Sequence, residues 1–229
     1  MLMLAKVRPD DFLIDLGCGD GRSPITAAGV YGTAGLGVDL DPQRISEARA
    51  NAAKHGVVDK VSLVEGDLFK MSLDKATVIT LFLYPDINLK LRPRLLDLAP
   101  GTRIVSHAHD MGSWRPDAKR MLMGSAIYLW VVPARIGGSW QLSAGDLAVE
   151  VEIRQSYQLF FGTAVVNGRP HPIRDGRIDG AKLSFAVALA DGRLRRFTGE
   201  VTSAGAMGGT GWRAQRKIRD ARRWGAPQT

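Results

Sequence analysis

The sequence predicts a doubly wound α/β sheet over residues 1–136, a small antiparallel β domain over 137–214 and a basic C-terminal tail over 215–229. Three observations carry this. The apolar run Phe12-Leu13-Ile14 leads straight into Asp15-Leu16-Gly17-Cys18-Gly19-Asp20-Gly21-Arg22, and helix-forming residues follow from Ser23 to about Val30. A strand, a glycine turn and a helix, in that order, can cradle a nucleotide-like ligand at the carboxyl edge of a parallel sheet. Residues without Cβ turn with φ > 0 and let a ligand lie against the peptide groups. Two more short apolar strands, residues 35–40 and 61–64, each run to a carboxylate, Asp39 and Asp67. From Gly137 the pattern changes to the two-residue alternation of half-buried strands.

Taken in order, residues 1–6 have room for a turn or so of helix before the first strand. The second strand sets Asp39 about twenty residues past the glycine turn, where a carboxylate accepts hydrogen bonds from both hydroxyls of a ribose. Asp41-Pro42 opens a helix, with Asp41 as N-cap, Pro42 as its first residue and Gly56 as its stop. Asp67, at the end of the third strand, is placed to accept the exocyclic amine of adenine. Residues 77–83 are nearly all apolar or β-branched, as a strand buried on both faces should be. They run into Tyr84-Pro85-Asp86-Ile87-Asn88, with Pro85 stiffening a loop. A helix is expected from about residue 92 to 98, with Pro93 in its first turn. The fifth strand, 102–106, leads into His107-Ala108-His109-Asp110-Met111-Gly112-Ser113-Trp114. Residues 127–133 read as a sixth strand, and Trp140-Gln141-Leu142 is the candidate for a seventh. Alternating segments at 147–153, 157–166, 182–189 and 195–201, with hairpin signals at Asn167-Gly168 and Asp191-Gly192, predict a sheet or small barrel.

Composition bounds the function. The chain has 229 residues, 45% hydrophobic and 24% charged, which is a soluble globular balance rather than a disordered one. No apolar run approaches the ~20 residues of a membrane helix, and Lys6, Arg8 and the pair Asp10-Asp11 make the N-terminus unlike a signal peptide. The single cysteine, Cys18, excludes an internal disulfide and a cysteine metal cluster, and fits a reducing cytoplasm. The formal charge of +8 is uneven: residues 136–229 carry 14 Lys+Arg against 8 Asp+Glu. Arg193, Arg195 and Arg196, with the tail, leave RNA, another acidic partner or an anionic membrane surface open beside a merely solvated face. His107-x-His109 puts two rings on one face of a strand, but no distant His or Cys cluster completes a metal site.

The glycine turn and the acids Asp39 and Asp67, in order and spacing, resemble a class I S-adenosylmethionine (SAM)-dependent methyltransferase. That family implies a Rossmann-like sheet and SAM as the cofactor. Its binding residues would be Asp15, Gly17, Cys18, Gly19, Asp20, Gly21, Asp39, Leu40, Asp67, Leu68 and Leu83. A dinucleotide binder is the rival; it keeps a third glycine where this chain has Arg22, and Asp20 would crowd a phosphate. The segment from Leu81 to Asn88 and on through Ser106-His107 to Trp114 is similar to the small lysine methyltransferases acting on the ATP synthase c subunit and the adenine nucleotide translocase. In that family the loop after the fourth strand faces the transferred methyl, so the resemblance makes Tyr84, Asn88 and His107 the catalytic candidates. A pocket of Tyr84, His107 and Trp114 would favour a neutral lysine amine by desolvation. The resemblance therefore implies a protein substrate, lysine first. The alternatives are a small-molecule or RNA methyltransferase, or a SAM-binding interaction protein without turnover. A metal is not expected.

Overall fold

The computed structural model describes residues 1–145, 147–188 and 193–217. The chain forms two units, Met1–Val132 and Pro133–Thr229. The Asp191-Gly192 signal and the tail arginines Arg219, Arg222 and Arg223 lie outside the described residues.

The first unit runs β1 (Phe12–Leu16), α1 (Arg22–Tyr31), β2 (Ala34–Asp39), α2 (Pro42–Lys54), β3 (Val61–Glu65), β4 (Val78–Leu81), α3 (Pro85–Leu96), β5 (Arg103–His107), β6 (Ala118–Leu122) and β7 (Ser125–Val131). Its seven strands form one sheet in the order β3-β2-β1-β4-β5-β7-β6. Strands β1 to β5 are parallel, and β7 is antiparallel to both β5 and β6. Leu13, Val78, Val105 and Ile127 share one face with Ala27 of α1, and Ile25, Ile45, Ala48, Val61 and Leu63 extend the cover across α1 and α2. Ser106 is next to Val105 and so points the other way. There it meets Asn88 of α3. Helices thus cover both faces of the sheet, whose open carboxyl edge collects the ends of β1 to β5.

Three expectations for this unit are corrected. The seventh strand is β6, not Trp140-Gln141-Leu142, which lies in the second unit. The exposed Lys119, Arg120, Met121 and Leu122 lack the buried pattern of a strand interior because β6 is the sheet edge. The helix after β4 begins at Pro85, not near residue 92. Tyr84 is its extended N-cap, and Pro85 takes the first helical position, where a fixed φ and a missing N–H suit the helix. Pro93 consequently lies inside α3. Residues 2–6 form turns rather than helix, tied by Ala5 N–H to Met1 O and Val7 N–H to Leu2 O. The Arg103 guanidinium fastens this segment through Ala5 O and Lys6 O, and pairs with Asp11. For α2 the expected capping holds: the Asp41 carboxylate accepts from Gln43 N–H at 2.8 Å, and Gly56 turns with φ +65°.

The second unit is a closed antiparallel barrel of β8 (Gly138–Ala144), β9 (Leu147–Ser156), β10 (Leu159–Val166), β11 (Arg169–Asp179), β12 (Lys182–Ala188), β13 (Leu194–Ser203), β14 (Ala206–Gly209) and β15 (Trp212–Arg216). Alternate residues fill its interior, including Trp140, Val151, Ile153, Phe160, Leu183, Phe185, Phe197 and Trp212. Phe185 and Phe197 stack with centroids 4.8 Å apart, and Trp212 stands edge-on to both. The Asn167-Gly168 turn has positive φ at both residues, the conformation a tight hairpin demands.

Candidate active site

The glycine turn is built by the end of β2. Gly17 N–H and Cys18 N–H both donate to Val38 O at 2.9 Å, so the chain folds back over β2 as it leaves β1. Gly17, Gly19 and Gly21 all have positive φ. A Cβ on Gly17 would sit 2.6 Å from Leu83 Cδ2, and one on Gly19 would sit 3.3 Å from Arg44 Nη2. Leu83 and the Arg44 guanidinium therefore approach the turn as closely as they do only because it is bare.

Asp39 sits against this turn. One carboxylate oxygen accepts Gly19 N–H at 2.9 Å and the other accepts Asp41 N–H at 3.1 Å. Each oxygen keeps a second lone-pair site, which is what a pair of ribose hydroxyls requires. Asp67 Oδ1 accepts Phe69 N–H at 2.9 Å, with Lys70 Nζ 3.6 Å from its other oxygen. Leu40 is exposed, and Leu68 and Leu83 are half-buried.

Two acids are committed elsewhere. Asp20 accepts two hydrogen bonds from the Arg22 guanidinium, at 3.0 and 2.8 Å, and this bond holds its carboxyl below the ordinary value. Asp15 is buried beneath the turn and accepts the Thr80 hydroxyl at 2.6 Å. Burial pushes its carboxyl up to about 7; bonds from Thr80 and Ser23 oppose the rise, and the charges of Asp39 and Asp20 add to it. Burial, with Asp15 and Asp39 nearby, also pushes the Cys18 thiol up to about 12, so Cys18 packs rather than reacts.

At the ends of β4 and β5, Asn88 is fully buried. Its amide nitrogen lies 3.2 Å from Ser106 Oγ, 3.3 Å from His109 O and 3.4 Å from Asp110 O. Phe82 stands edge-on to the His107 ring at 4.4 Å. Tyr84 is 76% exposed, while Trp114 is wholly buried against Trp130. The expected pocket of Tyr84, His107 and Trp114 is therefore not formed: Trp114 sits in the core, its carbonyl accepting Trp130 Nε1–H at 2.7 Å. Among the described residues no group of three or more His, Cys, Asp or Glu is arranged to hold a metal ion.

A family model described as the ANTKMT methyltransferase domain matches residues 15–118. A protein-lysine N-methyltransferase of Saccharolobus islandicus is 42% identical over 58% of this chain and 86% of its own length. The chain belongs to the class I SAM-dependent methyltransferases. The adenine nucleotide translocase lysine N-methyltransferase of Mus musculus is 32% identical, over 52% of each chain. An RNA methyltransferase from Salinibacter ruber, solved with S-adenosylhomocysteine, superposes with TM-score 0.58 at 48% identity, covering 59% of this chain and 89% of its own.

The methyltransferase's SAM site fits that cofactor on its own geometry, with a bare turn, a ribose-competent carboxylate and acids rather than a phosphate cradle. Four residues of the site were not read from the sequence. Thr80 pairs with Asp15 in the β1–β4 register, and a lone hydroxyl inside an apolar strand was the signal. Ser106 anchors Asn88. Arg44 and Arg94 gave no signal: they are helix cations. Arg94 nevertheless reaches the carbonyls of Leu68, Phe69 and Met71 and so shapes the loop after Asp67.

Proposed function

We propose that the methyltransferase acts on the ε-amine of a protein lysine, held between Asn88 and His107. One observation carries this reading. Among the described residues Asn88 Oδ1 and His107 Nδ1 are buried without a hydrogen-bond partner, at the α3 and β5 sides of one sheet edge. Buried acceptors left without donors are costly. A neutral amine supplies two N–H donors and keeps its lone pair for reaction. The lysine methyltransferases among the relatives support the same assignment.

In this reading Asp39 takes the ribose, Asp67 the adenine, and Gly17, Gly19 and Gly21 the backbone-close part of SAM. Asp15 and Asp20 shape the turn from below and outside, Cys18 packs under it, and Leu40, Leu68 and Leu83 line it. When bound, SAM supplies a methyl on a sulfonium, a leaving group that needs no protonation. The chain's own work is alignment, an advantage that can reach ~7–11 kcal/mol. Asn88, fixed by Ser106 and two carbonyls, gives one rigid acceptor. His107 presents Nδ1 as the other when its proton is on Nε2. Burial at this edge lowers the amine's pKa toward the neutral form. Tyr84 offers its hydroxyl to the approaching substrate. A single cysteine, with no partner for a disulfide within the chain, is in keeping with a reducing compartment such as the cytoplasm.

The test is transfer from methyl-labelled SAM into a cell lysate. Label that survives ribonuclease, is lost to protease and maps to lysine supports the proposal. A second reading, RNA methylation, draws on the RNA methyltransferase neighbour and on the excess of Lys and Arg in residues 136–229. Label lost to ribonuclease would decide for it.

A further inference from the structure

The β6–β7 hairpin ends in a tip that its own fold does not explain. Met121 is 64%, Leu122 57% and Met123 98% exposed, three consecutive apolar side chains in solvent. The turn is Met123-Gly124, both with positive φ, 47° and 80°. A two-residue turn of this kind favours Asn or Asp at its first position, because an unbranched apolar side chain gains nothing from the left-handed conformation. Met123 is thus both exposed and strained, at a position where a polar residue would fold more readily.

The tip is also placed. Ile127 pairs with His107, and Met121 with Ala126. The hairpin therefore extends past the carboxyl end of β5, its turn roughly 10 Å beyond His107 along the strand. Phe82 and Tyr84, at the end of β4 on the same edge, are 63% and 76% exposed. Behind the tip stand Lys119 and Arg120, both exposed. No acidic residue occurs between Asp117 and Asp146.

We propose that this hairpin tip is a membrane-surface anchor, inserting Met121, Leu122 and Met123 into the interface of an anionic bilayer. The shape argues for lipid over a protein groove: the apolar element is a convex hairpin end, which a fluid interface accepts without a matching cavity. The charge argues the same way. Cations one or two residues behind an apolar tip fall at headgroup depth when the tip is buried ~5–10 Å, as an interfacial element requires. Anchored so, the edge carrying His107 faces the lipid surface, and acceptors are amines presented at or near it. The anchor stands independently of the lysine reading; the choice of acceptors rests on it.

The experiment is co-sedimentation of the full chain with vesicles of phosphatidylcholine, with and without phosphatidylglycerol. S-adenosylhomocysteine binding, measured by calorimetry, is the check on folding. The wild type should sediment with the anionic vesicles. Met123→Asn, which suits the turn better, should weaken that binding several-fold, and Met123→Asn with Leu122→Ser at least ten-fold, both with unchanged S-adenosylhomocysteine affinity. Absence of wild-type sedimentation would overturn the anchor. So would equal sedimentation of wild type and variants, which would assign the attraction to basic surface elsewhere. Loss of methylation of a protein acceptor by the tip variants, without any vesicle binding by the wild type, would replace the lipid with a protein partner.

Discussion

Asp15 and Thr80 face each other across β1 and β4, with the Thr80 hydroxyl donating to the Asp15 carboxylate at 2.6 Å in a site closed to solvent. This bond opposes, without cancelling, the burial that raises the acid to about 7. The folded state therefore holds a proton on Asp15 in a range where the unfolded chain has released it. Above the ordinary carboxylate value of 3.8, stability should fall as pH rises, and the loss should be complete once the folded acid ionises near 7. Asp15→Asn keeps an acceptor for Thr80 and cannot ionise. Urea unfolding at pH 5 and pH 8 should show the variant gaining on the wild type at the higher pH. A constant difference between the two would mean Asp15 does not titrate in this window.

Asp39→Ala removes the acceptor for Gly19 N–H and Asp41 N–H as well as the expected ribose contacts. S-adenosylhomocysteine binding should weaken by about 2–6 kcal/mol, taking each of two unpaired buried partners at ~1–3 kcal/mol. Calorimetry reads this directly. Affinity within a factor of two of wild type would place the ribose elsewhere.

Gly17→Ala puts a methyl 2.6 Å from Leu83 Cδ2 at a φ of +77°. The backbone conformation alone should cost about 1–2 kcal/mol, and Leu83 must move. The expected result is a lower melting temperature together with weaker S-adenosylhomocysteine binding. An unchanged melt would show that the turn relaxes freely.

His107→Ala bears on the proposed acceptor. His107 ends β5, two strands away from β1 and its glycine turn, so S-adenosylhomocysteine affinity should persist while kcat for amine methylation falls at least ten-fold. Asn88→Ala should lower kcat as well, and destabilise the fold by about 1–3 kcal/mol because Ser106 and two carbonyls lose their donor. Turnover unaffected by both changes would remove these residues from the acceptor site.

The barrel can be tested on its own core. Phe185→Ala deletes a ring that stacks on Phe197 and meets Phe160 and Trp212. The loss should be about 3–5 kcal/mol by denaturant unfolding.

The cofactor half of the methyltransferase was legible in the sequence because its signals are local. Glycines, a strand and a carboxylate within a few residues of one another fix both the turn and the place of Asp39. The acceptor half was less legible. Pro93 resembled a helix start only because Pro85, the true first residue, reads equally well as a loop proline. The edge strand β6 carries no alternation, since an edge has little to bury, and its pattern is weaker than that of Trp140-Gln141-Leu142. Trp114 sits among loop residues but is captured by Trp130, a contact between distant positions that no spacing reveals. In the barrel, β11 begins Arg169-Pro170-His171-Pro172, and two prolines argue against a strand. Pairing from β11 to β12 starts only at Ile173.

Asn88 and Arg94 lie on one helix, six residues and about 9 Å apart along its axis. One grips the end of β5, and the other clasps three carbonyls of the loop after Asp67. The proposed donor and acceptor sites thus share one helix, and a slide or tilt of α3 would reshape both together. Substitutions along the helix, even those touching neither ligand, should shift the affinities for both in step.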